Sequence, residues 1–228
     1  MPLKAPVLFI NFKTYAEATG KNAVLLAKKA EAVSKKRNVS IALVVQAPDL
    51  RLVSKAVELP VFAQHIDPIE FGGNTGCILP EAVLEAGASG TVLNHAENKR
   101  PNDFLEKAVA RAKAAGLAVL VCAESLERAA QIASFAAKPD FIAIEPPELI
   151  GGNVSVSTAN PSLISGGVAV VKRAAPKICV ITGAGIKSGA DVRKALELGT
   201  SGVFVASGIV KASDQGKAIE ALVSGMKK

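Results

Sequence analysis

The strongest constraint on this chain is an alternation. Eight short apolar runs, at residues 7–12, 41–46, 61–64, 90–93, 118–122, 141–144, 178–182 and 202–205, are separated by stretches with helical character. The runs are rich in Val, Ile, Leu and Ala and show little polar alternation, as expected of parallel strands buried on both faces. Residues 22–36 repeat apolar side chains (Val24, Leu25, Ala27, Ala32) at helical spacing. Asp49 is expected to cap a helix reaching about residue 58, and Pro80 to open the next. Pro101, Asn102 and Asp103 start a helix ending near Gly116, and another is expected over 125–137. Asn160 and Pro161 read as an N-cap and first helical position for a helix to about residue 175, which Gly166 and Gly167 weaken. Ser188 opens a helix to Leu198, and a last helix follows the eighth strand.

Eight strand–helix units in 228 residues predict an α/β protein, a closed (β/α)8 barrel forming one domain over residues 1–228. A flat doubly wound sheet is the alternative, and the absence of a dinucleotide-type glycine fingerprint argues against it. Leu84-Glu85-Ala86-Gly87-Ala88-Ser89-Gly90 is echoed by Leu196-Glu197-Leu198-Gly199-Thr200-Ser201-Gly202, as units four and eight of two half-barrels would be.

Charge and cysteine content narrow the function. The net charge is +7, much of it in Lys28, Lys29, Lys35, Lys36 and Arg37 on one expected helix. Aromatics are only 4% of the chain, too few to supply base-stacking platforms, so no nucleic-acid partner is expected. A small anionic substrate suits the sign of the charge. The 3 cysteines, Cys77, Cys122 and Cys179, form neither a disulfide framework nor a zinc signature, and Cys122 and Cys179 are expected to be inert buried thiols. No signal-peptide core and no membrane-spanning run is evident, which leads to the expectation of a soluble cytoplasmic protein without a membrane partner.

In such barrels chemistry gathers at the carboxyl ends of the strands. There the chain places Asn11 and Lys13, then Asn94, His95 and Glu97, then Glu145, then the small-residue turns Gly183-Ala184-Gly185 and Ala206-Ser207-Gly208. Glu145 is followed by Pro146 and Pro147, then by Gly151 and Gly152, a stiff start and a loose end that suit a closing lid. Taken singly, these residues read as a surface lysine, a structural histidine and a solvated glutamate. Taken together, a carboxylate base, an imidazole and a cation suit proton abstraction beside a carbonyl, and the turns suit phosphate.

Asn11-Phe12-Lys13, Asn94-His95-Ala96-Glu97, Glu145-Pro146 with its lid, and the turns at Gly183 and Ala206 resemble the triosephosphate isomerase family. The likeness runs through the whole chain in order. Ala63-Gln64-His65-Ile66-Asp67 and Thr182-Gly183-Ala184-Gly185-Ile186 resemble its shorter, archaeal-type branch. The resemblance implies a TIM barrel interconverting dihydroxyacetone phosphate and glyceraldehyde 3-phosphate with no metal or organic cofactor. It implies Glu145 as the base, His95 as the carbonyl polariser and Lys13 as the stabiliser of developing charge. It further implies Asn11 in substrate positioning, Glu97 as the partner of Lys13, and Ile150, Gly185, Ala206 and Ser207 as phosphate contacts. A neutral histidine and a water-excluding loop are properties of the family. Thr75, in Gly73-Asn74-Thr75-Gly76, is implied as a contact with a second subunit of a homo-oligomer, a tetramer being expected and a dimer the alternative. His65 is read as structural or as a contact beside the site. Three positions depart from the family pattern: Ala96 stands where serine is usual, Glu148 where the lid usually has an aromatic, and Cys77 where a carboxylate often follows the subunit loop. Another sugar-phosphate isomerase or epimerase barrel, and a non-catalytic basic scaffold, are the competing readings.

Overall fold

The computed structural model describes residues 3–145, 161–183 and 185–226. Eight parallel strands pair each with the next, and the last returns to the first: β1 (Val7–Asn11), β2 (Ser40–Val45), β3 (Val61–Ala63), β4 (Gly90–Leu93), β5 (Ala118–Ala123), β6 (Phe141–Ile144), β7 (Cys179–Thr182) and β8 (Gly202–Val205). Helices follow the strands outside the closed barrel: α1 (Lys21–Arg37), α2 (Leu50–Ser54), α3 (Pro80–Glu85), α4 (Asn102–Ala114), α5 (Leu126–Ala133), α6 (Pro161–Ala174), α7 (Gly189–Glu197), α8 (Ser207–Val210) and α9 (Gln215–Val223). This is the TIM barrel that the repeating pattern predicts. Among the described residues no helix is long and apolar enough to cross a membrane.

Strand alternation sorts the apolar side chains into two cores. Val7 and Phe9, Ala42 and Val44, Phe62, Val92, Leu120 and Cys122, Phe141 and Ala143, Ile181 and Phe204 fill the barrel. Leu8, Ile10, Leu43, Leu93, Val121, Ile142 and Val203 point outward and pack with the inner faces of the helices. Continuing the inward phase by two residues carries Phe9 to Asn11 and Ala143 to Glu145, which delivers both polar side chains to the barrel mouth.

Several local expectations change. The buried stripe of α1 is Ala23, Leu26, Ala27, Ala30 and Val33, while Leu25 is 57% exposed and Ala32 faces solvent. The stripe keeps the i, i+3, i+4, i+7 spacing, and burying Leu26 alone stabilises by about 2 kcal/mol. The basic end of this helix is engaged with acids: Lys35 with Glu58 at 3.0 Å, Lys36 and Arg37 with Glu220 at 2.7 and 3.4 Å. Asp49 makes no side-chain cap to α2. Its carboxylate instead accepts the Gly20 N–H at 3.1 and 3.2 Å, satisfying an amide at the start of α1. α2 ends at Ser54 rather than near residue 58, and α5 at Ala133 rather than near 137. Residues 206–208, expected as a turn, open the short helix α8. Ser188 does cap α7, in a reciprocal pair with Asp191. Cys179 is only half-buried, against the expectation of a buried thiol, while Cys122 is buried and Cys77 exposed.

Candidate active site

Every described strand-end residue assigned to substrate or chemistry faces one space. Asn11, Lys13, His95, Glu145, Gly185, Ala206 and Ser207 line a cavity of about 430 Å³ at the carboxyl mouth of the barrel. Ile186 and Gly208 from the quoted motifs also line it, as do Tyr15 and Lys187, which were not singled out from the sequence. A second cavity of about 360 Å³ adjoins it, sharing Asn11, Lys13 and His95 and reaching Gln64, His65 and Glu97. Ile150 and the expected lid over 146–153 lie outside the described residues, as do Ala184 and Asn160. Thr75 sits in an exposed turn and lines neither cavity.

Lys13 leaves β1 in a left-handed conformation, φ 48°, uncommon for a residue with a side chain. Its backbone is held there. The Lys13 N–H donates to Asn11 Oδ1 at 3.0 Å, and its carbonyl accepts Gln64 Nε2 at 2.9 Å. The ammonium donates to Glu97 Oε1 at 2.7 Å. Gln64 was quoted in the sequence pattern without a role, and its place at the end of β3 was the available signal.

Two features favour the neutral form of His95, although Nδ1 also lies 3.6 Å from Glu97 Oε2. Burial lowers its pKa first, the Lys13 ammonium lowers it further, and Glu97 opposes both. The Glu97 backbone N–H also donates to Nδ1 at 3.2 Å, which requires a free lone pair there. The tautomer assigned from this bond carries its proton on Nε2. His95 stands before a helix or a short turn leading to one in the sequence, and the structure shows the turn: the His95 carbonyl accepts the Asn98 N–H at 2.7 Å, and α4 begins at Asn102.

Glu145 follows directly on β6 and is buried, with 6% of its surface exposed. Burial pushes its pKa up to about 7, against the lowering effects of the nearby Cys122 thiol and the Lys13 charge. Its Oε2 has no hydrogen-bond partner among the described residues. Cys122, expected to be inert packing, lines a small void together with Glu145, and burial and Glu145 together push its own pKa up. Gly183 leaves the room Glu145 occupies. A Cβ there would collide with Glu145 Oε1 and lie 2.8 Å from the Phe204 carbonyl. Gly183 was read only as part of a phosphate turn. Ala96 lines a small void with Cys122 and Glu145, so the hydroxyl usual at this position in the family is replaced by a methyl group beside the carboxylate.

His65 belongs to the adjoining cavity. Its Nε2 lies 3.2 Å from Asp67 Oδ1 and its ring stacks on Phe104. Burial lowers its pKa and Asp67 opposes the shift. Both contacts fit a structural residue.

Fold and cavity together define a class: closed (β/α)8 barrels whose carboxyl mouth holds a buried carboxylate, a neutral imidazole and an ammonium group beside small-residue turns. Comparison with known proteins then gives the family. The sequence profile described as Triosephosphate isomerase matches residues 6–223. The chain is 48% identical to the triosephosphate isomerase of Methanothermus fervidus, covering 97% of this chain and 99% of that protein. It is 43% identical to the triosephosphate isomerase of Methanobacterium bryantii, over 97% of each, and 44% identical to that of Methanosarcina mazei, over 96% and 98%. The chain belongs to the triosephosphate isomerase family.

Proposed function

We propose that this chain, acting as a single domain over residues 1–228, interconverts dihydroxyacetone phosphate and D-glyceraldehyde 3-phosphate in glycolysis and gluconeogenesis. The observation that carries the proposal is the convergence of Glu145, His95 and Lys13 on one cavity. Glu145 in its ionised form takes a proton from the carbon beside the carbonyl. The electron pair left behind moves onto the carbonyl oxygen and gives an enediolate. The His95 Nε2–H and the Lys13 ammonium face that oxygen and offset its growing charge. The protonated Glu145 returns its proton to the neighbouring carbon, while the hydroxyl proton passes between the two oxygens within reach of His95. The reaction is redox-neutral overall, and with His95 and Lys13 in the electrophilic role the proposal calls on no metal or organic cofactor. A pKa of about 7 suits a group that must both accept and return a proton near neutrality.

Asn11 holds the Lys13 backbone and helps to position the substrate, and Glu97 fixes the ammonium. Gly185, Ala206 and Ser207 receive the phosphate through backbone N–H groups, with Ile150 as the contact from the lid. Phe71 is 77% exposed and stands near Thr75 in the segment between β3 and α3. The assembly proposed is a homotetramer in the cytoplasm, with the dimer as the alternative. Light scattering that returns a monomer would remove the subunit role of Thr75.

The deciding experiment is a coupled assay on both triose phosphates with the parent and Glu145→Gln. Turnover by the parent that collapses in the variant supports the proposal. No turnover of triose phosphate by the parent overturns it, and a Glu145→Gln variant near parent activity overturns the assignment of the base.

A further inference from the structure

We infer that Asn94 is the positioning residue that aims His95 into the cavity and ties it to the strand supporting Glu145. The inference rests on the function proposed above and concerns a residue given no role there. Along β4, Val92 packs inside the barrel and Leu93 outside it. Continued, that alternation would turn residue 94 inward and His95 out into the helix layer. His95 nevertheless lines the cavity. The phase changes at Asn94, whose φ is 58°, in the left-handed region that asparagine tolerates better than most residues.

The side chain fixes what the backbone has turned. Asn94 is buried, and its Nδ2 donates to the Cys122 carbonyl at 2.8 Å, with Glu124 Oε2 at 3.5 Å. Its Oδ1 accepts the Arg100 N–H at 2.9 Å. The first bond lies one step beyond Leu93–Val121, the last registered pair of β4 and β5, so a side chain extends the ladder. The Arg100 bond closes the 94–100 loop that carries His95 and Glu97. Asn94, Cys122 and Glu145 also line one small void. One buried amide thereby couples the mounting of the imidazole to the wall beside the carboxylate.

A role confined to the backbone turn would be met by glycine, which adopts this conformation without strain. Asn94→Gly is therefore the test, with activity expressed per folded molecule well below the unfolding temperature. We expect kcat to fall about tenfold while KM stays within about twofold, because His95 is misaimed rather than lost. In the substrate-free protein, the ¹⁵N resonances of labelled His95 should report the proton on Nε2 in the parent and tautomer averaging in the variant. Asn94→Asp keeps the acceptor for Arg100 but removes the donor to the Cys122 carbonyl, and should lose kcat in the same way, so it serves if the glycine variant does not fold. A kcat within about twofold of the parent in whichever folded variant is measured, with unchanged His95 resonances, overturns the inference. If the parent itself does not turn over triose phosphate, the proposed function falls, and the His95 resonances still decide the place of Asn94.

Discussion

Asp140 and Glu145 stand at opposite ends of the same strand, β6, and their surroundings could hardly differ more. Asp140, at the amino end, accepts two bonds from Lys113 at 2.8 and 2.9 Å and the Val119 N–H at 2.8 Å. Glu145, at the carboxyl end, is buried with one oxygen unpartnered among the described residues. The cavities beside them divide the same way. The amino mouth opens into about 750 Å³ lined largely by apolar residues such as Leu3, Pro60, Phe62, Phe141 and Ile178. The carboxyl mouth encloses about 430 Å³ and brings Glu145, His95 and Lys13 together. Size does not mark the chemistry. A carboxylate kept from its usual partners does.

The largest expected effect tests that contrast directly. Glu145→Gln should lower kcat by about 10³-fold or more, whereas Asp140→Asn should leave it within about twofold. The two variants should also move stability in opposite directions at pH 8. Glu145 has its folded pKa raised from 4.5 to about 7, so its contribution to stability is present below about pH 4.5 and is lost as pH rises through 7. Removing its charge at pH 8 should raise the melting temperature. Asp140→Asn weakens satisfied bonds and should lower it, by about 1 kcal/mol in free energy. Calorimetry on both variants checks the pair of signs, and two shifts of the same sign would break the comparison.

Lys13→Ala should lower kcat/KM by about a hundredfold or more, since it removes the cation that faces the developing charge. An unchanged kcat/KM would take Lys13 out of the site. Gly183→Ala should reduce activity and stability together, because the new methyl group meets both Glu145 and the Phe204 carbonyl. A fully active Gly183→Ala protein would mean that the carboxylate works from another position. The smallest effect is a shift in pH profile. With the parent, kcat/KM should rise with pH through about 7 as Glu145 ionises. Cys122→Ala deletes the thiol that holds the carboxylate's pKa down, so its midpoint should move upward. A midpoint that stays put would reduce Cys122 to packing.

These tests separate what the sequence could express from what it could not. Apolar runs and helix punctuation are local, so the strands Gly90–Leu93, Phe141–Ile144 and Gly202–Val205 and the Ser188 cap were readable residue by residue. The shared cavity around Asn11, Lys13, His95 and Glu145 was readable because strand ends in a barrel converge by construction. Asp49 was misread because its partner, the Gly20 amide, lies twenty-nine positions away along the chain. Cys122, Gln64 and Gly183 were noted without their roles for a related reason. Each acts on a residue carried by another strand, and no periodicity within its own strand marks it. The early ends of α2 and α5 reflect tertiary context overriding favourable composition.

The Phe9 ring meets Phe62, Phe141 and Phe204 edge-on, with centroids 5.5, 5.2 and 6.3 Å away. Phe62 and Phe141 line the amino-end cavity, and Phe204 lines the carboxyl-end one. The four rings form a bulkhead across the barrel, with an oily compartment on one side and a reactive one on the other. The amino mouth is thereby walled off from the catalytic groups. Cys179, half-buried at that mouth, lies on the far side of the packed rings from the proton-transfer groups.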